Sequence, residues 1–207
     1  MKQILCFVIL LTMCASCNKI ELFPSYIQRF LIDPTEIKAH INNSGDFYIS
    51  ASFDKECSYA SDGEDKWLYN NLCKEFHDTS YYLIEDIHYR NVSTIIPKPS
   101  LINITSSDDF DDEHLAGSTL NDVIQINYTE LQQFINTEYN PEHLSVKHIA
   151  LSGFDYAGEL VQYGTDSFEF IKEPSIKRRH ELTISITFGD KKTLSTKLKY
   201  DFDKYTK

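Results

Sequence analysis

The feature that most constrains the fold is an alternation of apolar and polar residues near the C-terminus. Apolar side chains recur at every second position from residue 182 to residue 188 and, apart from Thr196, again from residue 194 to residue 200. Gly189 and Asp190 lie between the two stretches and have turn chemistry. A period of two places successive side chains on opposite faces of a strand. The pattern therefore predicts an antiparallel hairpin with one buried and one solvated face.

Other segments have the composition of short strands or short helices. Residues 47–53 alternate in the same way and follow the turn residues Ser44, Gly45 and Asp46. Apolar residues spaced by four favour a helix over residues 66–76, and a second brief helix is expected over residues 130–139. Further strands are predicted at residues 80–96, 101–105, 123–128, 146–156, 159–163 and 167–171.

Strands at short intervals with turn residues between them indicate a mainly β protein. We predict an antiparallel β-sandwich, immunoglobulin- or transthyretin-like, with one or two short helices. Residues 35–207 would form its single domain. The chain has 207 residues, which is enough to bury a core without a stabilising cross-link. A parallel sheet would need longer helical patterns between the strands.

The N-terminus has the layout of a secretory signal peptide. Lys2 gives a positive start, residues 4–13 form an apolar run, and Ala15 and Ser16 precede Cys17. A membrane-spanning helix needs roughly twenty apolar residues, so this shorter run is an export signal. We expect residues 1–16 to be removed and the thiol of Cys17 to carry the lipid of a bacterial lipoprotein. The alternatives are secretion without a lipid after cleavage behind Ser16, and retention of the segment.

This interpretation places the mature protein in the cell envelope, tethered to the outer membrane and facing either the periplasm or the outside. Residues 17–34 would form a leader that is apolar enough to be partly packed. The formal net charge is −11, and loss of Lys2 with the signal makes it more negative. Such a charge disfavours nucleic acid and anionic lipid as partners. The expected partners are the membrane, through the lipid anchor, and a protein or a glycan.

Two cysteines and an acidic run are candidates for a disulfide and a metal site. Cys57 and Cys73 remain after processing, and an oxidising compartment favours a disulfide between them over two buried free thiols. Calcium prefers clustered oxygen ligands, which the acidic run supplies without the EF-hand spacing. A solvated acidic loop is the stronger interpretation of that run. The weak calcium candidates are Asp108, Asp109, Asp111 and Asp112.

The sequence contains no nucleophile elbow, phosphate-binding loop or dinucleotide fingerprint. His143 and His148 lack the H-E-x-x-H spacing, and no compact zinc-ligand set occurs. An enzyme of this composition would be a polysaccharide hydrolase that uses a pair of loop carboxylates. No catalytic residue can be assigned, and no cofactor is expected.

A basic run and a group of tyrosines have more than one interpretation. The basic side chains can bind an anionic group, although such a run is more often a solvated connection. Tyrosine rings can stack on sugars, although packing between strands is the commoner role. The basic run is Lys172, Lys177, Arg178, Arg179 and His180, and the tyrosines are Tyr81, Tyr82, Tyr89, Tyr156 and Tyr163.

Residues 109–122 read DFDDEHLAGSTLND. Gly117 can adopt a left-handed conformation there, and Ser118 can cap a helical turn. Together with the lipoprotein-type signal, this stretch resembles small uncharacterised lipoproteins of Bacteroidetes. The resemblance implies a bacterial source and an envelope location, and it carries over no functional residues.

The sequence thus favours a membrane-anchored envelope lipoprotein with a non-catalytic binding or structural role towards a protein or glycan partner. A polysaccharide hydrolase is one alternative. A subunit of a surface fibre or assembly, which would donate a strand to a neighbouring copy, is the other.

Overall fold

Two β-sheets dominate the structure, a computed structural model that describes residues 25–81, 91–156, 158–175, 179–189 and 192–205. The predicted signal peptide and Cys17 lie outside the described residues, as do Tyr82, Tyr89, Lys177 and Arg178. The described strands are β1 (Arg29–Ile41), β2 (Phe47–Ser58), β3 (Ser93–Ile96), β4 (Pro99–Ser106), β5 (Ile124–Thr129), β6 (Val146–Ala150), β7 (Ser167–Phe170), β8 (Arg179–Phe188) and β9 (Lys192–Asp201). The described α-helices are α1 (Gly63–Glu75), α2 (Gln132–Asn136) and α3 (Phe202–Tyr205).

The two sheets pack into a sandwich. One has the strand order β3-β1-β2-β7-β5-β6, and the other has the order β4-β8-β9. Phe47 and Phe168 from the larger sheet and Ile104 and Ile184 from the smaller sheet belong to one buried core. The predicted mainly β sandwich is therefore confirmed, with a parallel pairing of β1 and β3 and a third short helix as additions. Likeness to immunoglobulin or transthyretin domains stays a prediction.

The C-terminal hairpin forms as its alternation predicts. Strands β8 and β9 are antiparallel, with Leu182 opposite Leu198 and Ile186 opposite Leu194. The even-numbered residues of β8 are buried and alternate with half-buried or exposed neighbours. One face of this hairpin therefore closes the sandwich core, while the other carries hydroxyl and charged side chains.

The longest pairing joins β1 and β2. It runs from Arg29 opposite Ser58 to Ile41 opposite Phe47, a length of about 40 Å at 3.3 Å per residue. The Phe47 end contributes to the sandwich core, and the Arg29 end contributes to a second core beneath α1. That second core consists of Tyr26, Ile27, Phe30, Cys57, Tyr69, Leu72, Cys73, Phe76, Val92, Leu131, Phe134, Ile135, Tyr139 and Leu160.

A buried carboxylate fixes the chain just before β1. The Asp78 oxygens accept hydrogen bonds from the backbone N–H groups of Tyr26 (2.8 Å) and Ile27 (2.7 Å) and from the Tyr139 hydroxyl (3.0 Å). Asp78 is fully buried, and this burial raises its pKa to about 6. Because β1 begins at Arg29, the described part of the predicted leader is packed and partly in a strand.

The predicted disulfide is wrong, since Cys57 and Cys73 are both free and buried. The Cys73 thiol on α1 shares hydrogen bonds with the hydroxyls of Ser25 and Tyr69, while Cys57 contributes to the same core from β2. Burial raises the pKa of both thiols to about 11, which keeps them protonated and unreactive. The two cysteines act as small core residues.

Two predicted strands differ from the structure. The strand expected over residues 146–156 ends at Ala150, because Leu151–Gly153 form a 3₁₀ turn. Residues 159–163 form no strand, although Val161 makes an isolated bridge to Glu130. Leu151 and Leu160 are buried within these connections. Their apolar character therefore reflects core packing rather than a sheet.

Replacing Asp78 by alanine tests the importance of this buried carboxylate. The Asp78→Ala variant leaves two backbone N–H groups and a tyrosine hydroxyl buried without their acceptor, which we expect to cost about 2–4 kcal/mol of unfolding free energy. Urea denaturation measures the difference. Asp62→Ala is the matched control, because Asp62 is exposed and its side chain caps no helix; it should change stability by under about 1 kcal/mol. Equal effects of the two substitutions would contradict this role for Asp78.

Candidate functional site

A cleft open to solvent lies where the turn between β1 and β2 meets β7 and the end of β9. We call it the polar cleft. Its volume is about 360 Å³, which falls in the range of about 300–1,000 Å³ usual for ligand sites. It is lined by Ser44, Gly45, Asp46, Glu169, Phe170, Lys172, Glu173, Tyr200, Phe202 and Tyr205.

Gly45 allows the walls of the polar cleft to come together. Its φ is +97°, in the region that favours glycine, and a Cβ there would lie 2.7 Å from Cβ of Tyr205. The Tyr200 hydroxyl donates a hydrogen bond of 2.8 Å to the Gly45 carbonyl. The turn is thus held against both β9 and α3. A larger residue at position 45 would displace Tyr205 and change the shape of the cleft.

Aromatic rings form the floor of the polar cleft. The Tyr200 ring lies 5.0 Å from that of Phe170, 4.6 Å from that of Phe202 and 5.5 Å from that of Tyr205, measured between centroids. Tyr200 and Phe202 are buried, whereas Tyr205 is half-buried. These mutual contacts fix the rings on rigid elements, which is the usual requirement for a preorganised binding surface.

Carboxylates dominate the rim of the polar cleft. Asp46 accepts hydrogen bonds from the hydroxyl of Ser44 and the amide of Asn42, which orient its side chain. Glu169 and Glu173 are exposed and line the same cleft. Burial, followed by the nearby charge of Asp46, raises the pKa of Tyr200 to about 12, so its hydroxyl stays a donor. The cleft therefore offers hydrogen-bond acceptors around an aromatic floor.

A second cavity lies within the sandwich. We call it the inner cavity. Its volume is about 80 Å³, roughly half that of an engineered cavity of about 150 Å³ that binds benzene. The lining is largely apolar and includes Ile49, Ile126 and Phe188, together with the carboxyl-bearing side chain of Asp166. The inner cavity is therefore smaller than a typical ligand site.

Asp166 stands out within the inner cavity. Burial raises its pKa to about 6, and backbone N–H groups of Asp166 itself and Gly164 partly oppose that shift. A carboxylate in apolar surroundings loses hydration that two amides only partly replace. Asp166 consequently destabilises the folded state when it is ionised.

Of the calcium candidates Asp108, Asp109, Asp111 and Asp112, only Asp111 belongs to a cluster of possible ligand atoms in the described part of the chain. Asp111 accepts hydrogen bonds from His114 and pairs with the Lys172 ammonium at 2.8 Å. Asp109 accepts from the Ala116 N–H, and Asp108 accepts from the Ser107 hydroxyl. In the described part of the chain, the group with ligand atoms within 4.8 Å of one another is Asp111, Glu113 and His114. Since His114 and a lysine already satisfy Asp111, the run is a structured acidic loop.

The same loop confirms one local prediction. Gly117 has a φ of +83°, in the left-handed region, and nothing lies near its missing Cβ. The Ser118 hydroxyl donates to the Leu115 carbonyl instead of capping a helix. The loop therefore closes in a non-helical turn.

The remaining candidate residues are dispersed. His143 contacts the side chain of Gln133, and His148 contacts that of Asn127, so these two histidines share no ligand geometry. In the basic run, Lys172 pairs with Asp111, Arg179 pairs with Asp201 at 2.7 Å, and His180 bonds to Ser106. The described tyrosines pack internally: Tyr81 against Tyr26, Tyr156 against Phe154 and Tyr163 against Phe53.

Ser106 and His180 form a pair that sequence spacing did not indicate. The serine Oγ lies 2.7 Å from Nδ1 of His180. Both residues are buried, and the rings of Phe110 and Phe202 lie beside the imidazole. Because a substrate would have no path to this serine, the pair is an internal hydrogen bond between β4 and β8.

Comparison of the chain with protein-family models, with curated proteins and with solved structures gives no match. Among the helices in the described residues, none combines the length and the apolar character that a membrane span requires. Function is therefore inferred from the geometry of the polar cleft and from the N-terminal sequence.

The Asp166→Asn variant should be more stable than the wild type at neutral and alkaline pH. The folded pKa of about 6 exceeds the unfolded value of about 3.9, so the protonated form contributes stability that is complete below about pH 4 and is lost as the pH rises through about 6. We expect a gain of about 1–3 kcal/mol at about pH 8 and almost none at about pH 4. Chemical denaturation at both values measures it. Asp54→Asn, on the exposed side of β2, is the control and should change stability by under about 1 kcal/mol.

Proposed function

We propose that this chain is a lipid-anchored lipoprotein of the cell envelope that binds a glycan, without catalysis, in the polar cleft. The observation that carries the binding role is the cleft itself, which combines an aromatic floor with a carboxylate rim in a volume of about 360 Å³. The predicted signal peptide and Cys17 support the location. The cell-envelope assignment follows from these N-terminal residues and not from the fold.

The chemistry of the polar cleft favours a sugar. The half-buried rings of Tyr205 and Phe170 present apolar faces, and carboxylates accept hydrogen bonds from hydroxyl groups. The lining of the cleft carries three carboxylates, those of Asp46, Glu169 and Glu173. Its one ammonium, that of Lys172, is paired with Asp111, so the net charge of the lining is negative. The negative rim repels uronic acids and other anionic sugars. We therefore propose that the bound sugar is neutral or carries an amino group.

Binding to a panel of oligosaccharides tests this proposal. Neutral gluco-oligosaccharides or glucosamine oligomers should bind, and galacturonate oligomers should not, because the rim is acidic. The Glu169→Gln and Asp46→Asn variants should each weaken binding about tenfold, the loss expected for one charge-assisted hydrogen bond. Titration calorimetry measures these affinities.

Glu142→Gln is the matched control for the cleft variants, because Glu142 is exposed and lies outside the cleft lining. Its affinity should equal that of the wild type. Binding of galacturonate as strong as that of neutral sugars, or absence of binding by every member of the panel, would refute the proposed ligand class.

A polysaccharide hydrolase is the second candidate function, because one cleft brings Asp46, Glu169 and Glu173 together beside aromatic rings. Glycoside hydrolysis uses two such carboxyl groups, one as an acid and one as a base or nucleophile. Release of reducing ends from the bound oligosaccharides distinguishes the two candidates. Turnover that disappears in Glu169→Gln would favour the hydrolase over the binding protein.

The lipid anchor has its own test. Intact-mass spectrometry of protein produced in a bacterial host should show a mature chain that begins at Cys17 and carries fatty acyl groups, which hold a protein firmly on a membrane when two or more are present. The Cys17→Ala variant should leave the membrane fraction. Cys14→Ala is the control and should remain membrane-bound. A mature chain without acyl groups would refute the anchor and leave the cleft proposal standing.

A further inference from the structure

The single tryptophan of the chain lies on the surface. Trp67 is 68% exposed, the largest exposed fraction among the large apolar side chains of the described residues. It is part of α1, whose Tyr69, Leu72 and Cys73 face the second core. Tryptophan is highly buried on average and is enriched at interfaces and in membrane-interface belts, so its exposure makes the outer face of α1 a candidate contact surface.

Trp67 lies close to the place where the described chain begins. The Ser25 hydroxyl is hydrogen-bonded to the Tyr69 hydroxyl, two residues beyond Trp67 on α1. Ser25 is buried in this position, and Asp78 holds the next two residues. The N-terminal segment therefore joins the domain beside α1.

The proposed anchor limits how far α1 can be from the bilayer. Ser25 lies eight positions after Cys17, and eight Cα–Cα steps of extended chain reach at most about 28 Å. Helix α1 has 13 residues, a length of about 20 Å at 1.5 Å per residue. The tether can therefore place the whole of α1 at the membrane surface. The polar cleft lies at the other end of the β1–β2 hairpin, whose paired length is about 40 Å.

The charges around Trp67 suit a neutral membrane surface. Asp65 on the same helix pairs with Lys55 at 2.6 Å. The Lys66 ammonium lies over the Tyr59 ring, 4.1 Å from its centroid. Tryptophan, tyrosine and lysine are the side chains that favour the boundary between headgroups and acyl chains. Glu64, one turn before Trp67, is exposed and adds negative charge, so this face would approach a zwitterionic bilayer more readily than an anionic one.

We propose that the exposed face of α1 rests on the bilayer, with the indole of Trp67 inserted at the level of the headgroups. The proposal depends on the lipid anchor at Cys17 that is part of the proposed function. The lipid supplies attachment, and Trp67 supplies orientation. The domain then stands with the polar cleft directed away from the membrane, where a soluble or surface glycan can reach it.

The experiment uses the full acylated protein in phosphatidylcholine vesicles. Because Trp67 is the one tryptophan, the whole indole emission reports its surroundings. Emission should shift to shorter wavelength relative to protein in detergent-free buffer with the anchor removed. A quencher attached to lipid near the headgroup should reduce the emission more than one attached near the chain end.

A relocated tryptophan is the matched control. In the Trp67→Phe background, Tyr48→Trp places an indole on β2, near the turn end of the hairpin, where Tyr48 is 44% exposed. This indole should show neither the shift nor the quenching. Quenching at both positions would overturn the proposed orientation. A shift of Trp67 with native envelopes but not with lipid vesicles would mean that it contacts a protein, and would also overturn it.

Mass spectrometry of the same vesicle sample separates the two proposals. If Cys17 carries its acyl groups and Trp67 is not quenched, the membrane contact of α1 is refuted while the lipid anchor stands. If Cys17 carries none, the anchor itself is refuted.

Discussion

The rest of the structure depends on a register shift in the β1–β2 hairpin. On β2 the buried residues Phe47, Ile49 and Cys57 are all odd-numbered. On β1, Phe30 lies opposite Cys57, yet Ile41 lies opposite Phe47, so the inward positions change from even to odd. The irregularity between residues 34 and 36 inserts the extra residue that makes this change. Without it, one half of β1 would turn its apolar side chains to the wrong face.

One continuous face of the larger sheet can therefore serve two cores. The three-stranded sheet covers the half that carries Phe47, and α1 and α2 cover the half that carries Phe30. This division separates the two ends of the domain. The Asp78 carboxylate and α1 lie at the end where the leader joins, and the polar cleft lies at the end formed by the turn at Gly45. The hairpin, about 40 Å long, thus separates the proposed membrane contact from the proposed ligand site.

Local periodicity was enough to predict much of this fold, but not the site. The alternations around Ile184 and Ile49 identify β8 and β2, because a period of two is a property of neighbouring residues. The polar cleft joins Asp46, Glu169 and Tyr200 from three distant segments, and only the tertiary packing brings them together. The turn chemistry near Gly45 was the sole local signal for it. The predicted disulfide failed for the same reason, since cysteine count and compartment do not determine which groups pack around each thiol.

The shifted pKa values of four groups predict that the folded state is most stable at mildly acidic pH. Asp78 and Asp166 have folded pKa values raised to about 6 by burial, so the stability linked to their protonation is lost as the pH rises through that value. Burial alone lowers the pKa of His114, but its contacts with Asp111 and Asp122 outweigh burial, so the pKa is raised. The stability linked to protonated His114 is therefore also lost as the pH rises. The Lys172 ammonium holds the pKa of Asp111 well below its usual range, so that contribution is lost only in strong acid. All four groups therefore contribute to the stability of the folded state between about pH 4 and 6. An ionised carboxylate at Asp78 or Asp166 lacks hydration, and a deprotonated His114 loses its ion pairs with Asp111 and Asp122, so a rise in pH weakens the folded state at all three places.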